Sequence, residues 1–483
     1  MPRGPVFNTL DKRFTTRDSL GIEGVATSIS AEICPVVNTV TPRAFYWPFM
    51  VWIYYDFYRY SGIEERSYTA FDSYLKRQDY FFVLSVLLTP GSDQENLVGK
   101  QQSQLDLDTN AAGPYPYNPK YFKTRFGGMQ YYNAGCISMG YIIDQDPETQ
   151  KYYSLPKLTK EGEKMALAFE NKIKDTAYYR EYRRNDKAVP RDVLIEYGHV
   201  INIGLKGFND CKSLLRHSLF ERKQNKKLSQ SADLVKYLYE KYQVKTLSRE
   251  ACRQLLFDHL TPSGNKVTLP EYLHTIANEW GVVIARQYFT SGLEMIWKYM
   301  LSRLSRPLTM EQWIKIVLES SDFTWNMGGS LLDVVAACNY DYATRERMVY
   351  DAARGRNESS SIENGLKIVL SIYNWMTNKE DFGEEKALLS YGIDSDSIAL
   401  TELLNVVEKH KAMPVRDLLF YIMKNWLIDQ HYTTAFEKML QGRDGFYYEI
   451  VDGFFVKKHD FDIDFQGIRL IQLMRVMKDV DML

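Results

Sequence analysis

The sequence predicts a mainly α-helical, multi-domain protein with one or two winged-helix-like α+β modules. Apolar residues recur every three to four positions over most of the chain, a spacing typical of amphipathic helices. Two stretches, residues 127–169 and 415–478, have the pattern of a helix, a hairpin and a second helix. The chain of 483 residues is long enough for roughly two to four domains.

The first candidate module, residues 127–169, has the element order of a winged helix. Apolar positions at helical spacing predict a helix over residues 129–139, which Gly140 ends. Two β-favouring runs, 141–143 and 152–153, flank turn residues and predict a hairpin. Thr159 is the predicted N-cap of the helix that follows.

The second candidate module occupies the C-terminal part of the sequence. Residues 415–440 are predicted to form one long amphipathic helix, and residues 465–478 a closing helix. Between them lies a hairpin pattern with Asp452-Gly453 at its tight turn, a dipeptide that adopts the positive φ angles such turns require.

These elements predict four regions: a helical region over residues 1–100, a winged-helix-like module over 101–175, a helical domain over 176–412, and a helix–hairpin–helix module over 413–483. In the first region, the apolar run from Ala44 to Tyr55 is too short for a membrane span and predicts a buried helix, bent or broken near Pro48. Residues 90–119 are rich in Gly, Asn, Pro, Gln and Asp, and predict a long loop.

Charge and cysteine content limit the classes of function. The formal net charge is −1, so attraction to nucleic acid must come from local patches. The five cysteines are scattered and form no C-x-x-C pair, which argues against a zinc site and a disulfide framework and for a reducing compartment. The N-terminal residues lack the apolar core of a secretion signal. We expect a cytoplasmic protein without a membrane partner.

No stretch of the sequence has the spacing of a known catalytic or metal-binding motif. Gly99-Lys100 lacks the spacing of a phosphate loop, and the alternating carboxylates of residues 460–464 lack the central glycine of a calcium loop. No two histidines stand at metal-ligand spacing, and His431 is interpreted as a partly buried helix residue. The sequence therefore predicts no enzyme, no catalytic residue, no metal and no cofactor.

Two basic clusters are the candidate nucleic-acid-binding residues, because local cationic charge is what phosphate contact requires. The first follows the first module, and the second lies about 40 residues later; their members are Arg180, Arg183, Arg184, Lys187 and Arg191, and Arg222, Lys223, Lys226 and Lys227. The alternative is that both are solvated loops. The predicted groove helix, residues 129–139, holds no Lys or Arg, so the first module is also consistent with packing or with gripping another protein.

Several segments together resemble uncharacterised proteins of bacterial anti-phage defence loci. The segments are TPRAFYWPFMVWIYYDFY from Thr41, GGMQYYNAGCISMGYI from Gly127, KLTKEGEKMALAF from Lys157, TWNMGGSL from Thr324, and KNWLIDQHYTTAFEKM from Lys424 with the hairpin after it. Those proteins look like non-catalytic accessory subunits, encoded beside helicases or beside SMC-type ATPases and nucleases such as those of Lamassu systems. The resemblance implies a role that depends on a protein partner.

The first hypothesis for function is therefore a non-catalytic scaffold or DNA-contacting subunit of a bacterial anti-phage defence complex. It would bridge an ATPase or a nuclease and touch DNA through the two basic clusters. Two alternatives stay open: a stand-alone winged-helix DNA-binding regulator, and a nuclease whose motif is not recognisable in the sequence.

Overall fold

The chain is mainly helical, as the sequence predicts. The computed structural model describes residues 18–62, 67–124, 127–320, 322–354, 361–378, 386–391, 397–463 and 466–483. Its α-helices are α1 (Glu23–Ile33), α2 (Tyr46–Tyr60), α3 (Tyr68–Leu88), α4 (Lys100–Thr109), α5 (Tyr132–Ser138), α6 (Lys160–Ile173), α7 (Arg191–Val200), α8 (Asn209–Arg216), α9 (Lys226–Tyr242), α10 (Arg249–Leu256), α11 (His274–Arg303), α12 (Met310–Leu318), α13 (Leu331–Ala337), α14 (Tyr342–Ala353), α15 (Ser361–Asn378), α16 (Lys386–Leu389), α17 (Leu400–His410), α18 (Val415–Tyr421), α19 (Gln430–Leu440) and α20 (Arg469–Asp479).

The strands of the described residues form two small antiparallel hairpins. Strand β1 (Ile142–Gln145) pairs with β2 (Tyr152–Leu158), with an irregular register between Ile143 and Gln145. Strand β3 (Tyr448–Val451) pairs with β4 (Phe454–Lys457) in regular register. Helical segments of π type cover Tyr178–Tyr182, His217–Glu221 and Ile422–Asp429.

The chain divides into two compact units. One, termed the N-terminal unit, comprises residues 31–248 and 468–483, and the other, termed the C-terminal unit, comprises residues 18–30 and 249–467. The boundaries of these two units differ from those of the four predicted regions. The boundaries of the four regions stay a prediction. Helix α20 belongs to the N-terminal unit, whereas the β3–β4 hairpin belongs to the C-terminal unit.

Helix α2 is the most buried helix of the N-terminal unit, which confirms the predicted core helix. Every residue from Tyr46 to Tyr54 is buried. The predicted break near Pro48 is wrong, because the helix begins at Tyr46 and Pro48 falls in its first turn. A proline there sacrifices no intrahelical hydrogen bond, since the first four N–H groups of a helix have no partner within it.

Aromatic stacking and close helix contacts hold the N-terminal unit together. Phe45 stacks on Phe82 with ring centroids 4.6 Å apart, which joins the residue before α2 to α3. Helix α7 packs on α3 at Gly198, where an added Cβ would lie 2.4 Å from the carbonyl oxygen of Ser85. Any larger residue at Gly198 would therefore push the two helices apart.

The first helix–hairpin–helix stretch has the predicted elements. The helical face predicted from spacing is fully buried, and its members are Met129, Tyr132, Cys136 and Met139. Gly140 ends the helix with a φ of +68°, and the Thr159 hydroxyl caps α6 by accepting the N–H of Gly162 at 3.0 Å. The order helix, hairpin, helix is confirmed over residues 132–173.

The predicted loop over residues 90–119 is wrong in part, because α4 lies within it. Only Ser103 and Leu107 of α4 are buried, so the helix has almost no apolar stripe. Apolar periodicity is the main sequence signal for a helix, and it is missing in this segment.

In the C-terminal unit, α11 is a 30-residue helix that packs along α15. The two backbones meet at a pair of glycines. A Cβ on Gly365 would lie 2.6 Å from the carbonyl oxygen of Gly292, and one on Gly292 would lie 2.9 Å from that of Gly365. This approach is closer than side chains allow, so the crossing point of the two helices requires both glycines.

The predicted C-terminal helix and hairpin are both present. Residues 415–440 are continuously helical through α18, the π segment and α19. Asp452 and Gly453 have φ angles of +51° and +82°, so the turn between β3 and β4 has the geometry that favours this dipeptide. The predicted closing helix corresponds to α20, which begins at Arg469; Phe465 lies outside the described residues.

His431 in α19 is fully buried and holds two distant segments of the C-terminal unit. Its Nδ1 lies 2.9 Å from the carbonyl oxygen of Ser19, and its Nε2 accepts the N–H of Tyr447 at 3.2 Å. These two contacts define a neutral ring that donates from Nδ1 and accepts at Nε2. Burial lowers the pKa of His431 to about 4.

None of the helices in the described ranges has the length and apolar character needed to cross a membrane. The five cysteines are all free and buried. Burial raises the pKa of each thiol above its usual range, to about 12 for Cys34, Cys211 and Cys338.

Acid is expected to destabilise the C-terminal unit through His431. An unfolded histidine has a pKa of about 6.5, so below that pH the unfolded chain binds a proton that the folded chain excludes. The stabilisation is complete above pH ~6.5 and is lost as the pH falls towards about 4. Urea unfolding at pH 7.5 and at pH 5 measures the loss, and the His431→Phe variant should show less of it. The His199→Gln variant, at an exposed helix position, is the control and should keep the wild-type pH dependence.

Candidate functional site

The first basic cluster surrounds a buried carboxylate, Asp56, near the C-terminal end of α2. The Asp56 side chain is fully buried. The hydroxyl of Tyr74 on α3 donates a hydrogen bond to its Oδ2. Burial and the adjacent carboxylate raise the pKa of Tyr74 well above its usual value, so the phenol stays protonated and donates.

Arg183 and Arg184 supply the positive charge that Asp56 requires. Arg183 Nε lies 3.4 Å from Asp56 Oδ1, and Arg184 Nη2 lies 2.7 Å from Asp56 Oδ2. Arg184 also donates to the backbone carbonyl of Asp56, and Arg183 to the carbonyl of Tyr179. Burial of a charged carboxylate is unfavourable unless cations and hydrogen-bond donors pair with it. These two arginines therefore stabilise the fold by neutralising Asp56.

Tyrosine rings cover both guanidinium groups. The Arg183 guanidinium lies 3.7 Å from the centroid of the Tyr179 ring, and that of Arg184 lies 3.3 Å from the centroid of Tyr60. Guanidinium groups favour this position over aromatic faces. The side chain of Arg183 is 10% exposed, whereas that of Arg184 is 29% exposed. Arg184 is thus the member of the pair that solvent reaches.

The other members of the first cluster lie at the surface. Arg180 and Lys187 are exposed and form no ion pair within the part of the chain that the structure describes. Arg191 is exposed too, but its Nη1 donates to the carbonyl of Ala111 at 2.6 Å. The five residues therefore divide into two buried or half-buried members at Asp56 and three at the surface.

The second cluster shows a similar division. Arg222 Nη1 donates to the carbonyl of Met139 at 2.5 Å, near the C-terminal end of α5. Lys227 Nζ lies 2.9 Å from Glu32 Oε1. Lys223 and Lys226 are exposed and have no ionic partner among the described residues.

The candidate groove helix α5 presents no positive charge. Its residues Tyr132, Gly135 and Cys136 are buried, and an added Cβ on Gly135 would lie 2.5 Å from Trp47 Nε1. The exposed positions are Ala134 and Ser138. A helix that reads DNA uses cations to contact phosphates, and α5 carries none.

Two residues of this site, Asp56 and Arg77, are not among the candidates predicted from the sequence. Asp56 interrupts the aromatic run of α2, and an isolated carboxylate in such a run signals that a cation must neutralise it. Arg77, on α3, is 7% exposed and donates to the carbonyls of Tyr182 and Asn185, so it fixes the segment that bears Arg183 and Arg184. No sequence pattern marks Arg77.

The carboxylates of residues 460–464 are engaged with lysines where the structure describes them. Asp460 forms an ion pair with Lys457, and Asp462 Oδ1 lies 3.6 Å from Lys298 Nζ. Asp464 lies outside the described residues. Within the described ranges, no three His, Cys, Asp or Glu side chains are arranged to hold a metal ion.

A second surface of interest lies on α19 in the C-terminal unit. Four apolar side chains spaced along one helix face are exposed, namely Tyr432, Phe436, Met439 and Leu440, and Leu440 is 71% exposed. We call these four residues the α19 stripe. The hairpin that follows exposes three more apolar residues around its turn, namely Ile450, Val451 and Phe454. Exposed apolar groups of this size mark interaction surfaces more often than isolated ones do.

Comparison with protein-family models, with curated protein sequences and with solved structures gives no match for this chain. The resemblance to accessory subunits of anti-phage defence systems therefore stays a prediction.

Replacing Asp56 by Ala should destabilise the N-terminal unit strongly, because Arg183 would be left buried without its counter-charge. Loss of one partner of a buried ion pair costs about 3–5 kcal/mol. Chemical denaturation followed by circular dichroism measures the change. The Asp186→Ala variant removes an exposed carboxylate from the same region and should cost no more than about 0.5 kcal/mol. Equal effects of the two substitutions would contradict the structural role of Asp56.

Proposed function

We propose that the chain is a non-catalytic subunit of a bacterial anti-phage defence complex in the cytoplasm, where it bridges an ATPase or a nuclease. The observation that carries this proposal is the α19 stripe, whose residues are exposed although four apolar side chains lie on one helix face. Exposure of such a face to water is unfavourable, and a protein partner would remove it. The resemblance of the sequence to accessory subunits supports the same role.

The proposal includes a winged-helix-like module formed by residues 132–173. The helix, hairpin and second helix are present in the right order. Because α5 presents no cation, the module suits contact with a protein better than reading of a DNA groove. This observation also makes the stand-alone DNA-binding regulator the weaker alternative.

The second part of the proposal is that the exposed cations of the two clusters contact DNA. Arg180, Lys187, Lys223 and Lys226 are free to meet phosphates, whereas Arg183 and Arg184 already neutralise Asp56. Contacts of this kind are independent of base sequence and weaken as salt concentration rises.

Capture of the partner is expected to depend on the α19 stripe. Tagged chain purified from its own host should recover an ATPase or a nuclease encoded beside it, as identified by mass spectrometry. The double variant Tyr432→Ser, Leu440→Ser should weaken that complex at least about tenfold, because central apolar anchors contribute more than about 1 kcal/mol each.

The matched control for that experiment is the double variant Tyr272→Ser, Leu332→Ser. It removes an exposed tyrosine and an exposed leucine from other elements of the same unit. Recovery of the chain without such a partner, or equal loss with both double variants, would contradict the subunit proposal.

Charge reversal at exposed cations should weaken DNA binding and its dependence on salt. The variant pairs are Arg180→Glu with Lys187→Glu, and Lys223→Glu with Lys226→Glu. Removal of a single phosphate interaction should lower the slope of log K against log salt by roughly 0.9 for duplex DNA. Fluorescence anisotropy at several salt concentrations measures the slope. An unchanged slope in both variants would show that the clusters are solvated surface only.

A further inference from the structure

A cavity of about 390 Å³ opens beside the Asp56 ion pairs in the N-terminal unit. Its walls come from the end of α2, the first half of α3, the segment around Tyr117 and residues 183–186. The volume lies within the range of small-molecule sites, which begins at about 300 Å³.

Three guanidinium groups line this cavity, namely those of Arg77, Arg183 and Arg184. Two carboxylates oppose them: Asp56, which is fully buried and paired with Arg183 and Arg184, and Asp186, which lines the cavity and is exposed. The cavity therefore has one positive charge in excess, which favours binding of an anion.

The arginines keep donors that the protein does not use. Arg183 engages Asp56 through Nε and Tyr179 through Nη1, and Arg184 engages Asp56 through Nη2. Nε and Nη1 of Arg184 have no partner among the described residues, whereas Nη1 of Arg77, also without a hydrogen-bond partner there, is shielded from the open cavity. Guanidinium groups with spare, fixed N–H donors are the usual ligands of phosphate oxygens.

Aromatic rings form the rest of the wall. Tyr60, Tyr74 and Tyr117 line the cavity, and one face of the Tyr60 ring, a residue that is 48% exposed, is covered by the Arg184 guanidinium. Flat rings beside arginines provide stacking surface for a nucleobase, and such stacking is tolerant of base identity.

We propose that this cavity binds a nucleoside phosphate, with the phosphate held by Arg184 and the base stacked against the tyrosines. The ligand is a free mononucleotide or the terminal nucleotide of a strand, which share this chemistry. The proposal goes beyond the subunit role, because it requires neither the protein partner nor the exposed cations of the two clusters.

Binding to the wild-type chain is the first measurement. Isothermal titration calorimetry with adenosine 5′-monophosphate, adenosine, and single-stranded DNA with and without a 5′-phosphate separates the possible sources. Binding of the mononucleotide identifies the free ligand, and binding of only the phosphorylated strand identifies a strand end. Adenosine should bind at least about tenfold more weakly than its monophosphate, since it cannot form the charged hydrogen bonds. Equal affinity for the two, or no binding of any phosphorylated probe, overturns the proposal.

A variant that blocks the cavity without breaking the ion pairs is Ser73→Glu. Ser73 is exposed on α3 and lines the cavity, so the new carboxylate would occupy the cavity and repel a phosphate. We expect the dissociation constant to rise at least about tenfold. The control is Thr69→Glu, one turn earlier on α3, exposed and outside the cavity, which should change affinity less than about twofold.

A third variant, Arg184→Gln, tests the guanidinium directly, and Arg306→Gln removes an equal charge at an exposed position outside the cavity and outside both basic clusters. Arg184→Gln should weaken mononucleotide binding as Ser73→Glu does, whereas Arg306→Gln should not. If Arg184→Gln fails to fold, Ser73→Glu and Thr69→Glu decide the question. Unchanged affinity in Ser73→Glu would overturn the proposal, even if strand binding or partner capture were intact.

Discussion

A carboxylate buried in an aromatic helix is the constraint on which the N-terminal unit depends. The Asp56 side chain is fully buried, so its charge requires a cation and hydrogen-bond donors from the protein. They come from Tyr74 on α3 and from Arg183 and Arg184, more than 100 residues later in the chain. The positions of α2, α3 and the segment after α6 are thereby coupled, and Arg77 adds a second attachment for that segment.

This coupling also explains why a basic cluster in a sequence is an ambiguous sign. Arg180, Arg183, Arg184 and Lys187 look equivalent in the sequence, yet two of them neutralise an internal charge and two face solvent. The density of charge along the sequence shows how many cations a segment has, but it does not show which of them are free to bind a ligand. A nucleic-acid-binding surface can be told from an internal ion pair only when it is known which cations face solvent and which are paired within the protein.

Features governed by neighbouring residues could be predicted from the sequence, and features governed by distant contacts could not. The Thr159 cap and the Asp452-Gly453 turn depend on a few adjacent residues, and both lie at the predicted positions. The partners of Asp56 lie 127 and 128 residues away, and no periodicity marks them. Helix α4 lacks an apolar stripe, and the glycine crossing of α11 and α15 has no local signature. The placement of Arg183 and Arg184 beside a cavity was beyond sequence reasoning for the same reason.

The burial of all five cysteines has a practical consequence for labelling. A thiol reacts with maleimides as the thiolate, and burial both raises the thiol pKa and blocks the reagent. A cysteine introduced at an exposed site would therefore react far ahead of the native ones while the chain is folded. Fluorophores or spin labels can be attached at single chosen positions with every native cysteine kept, so the two units can be followed spectroscopically in an otherwise unaltered chain.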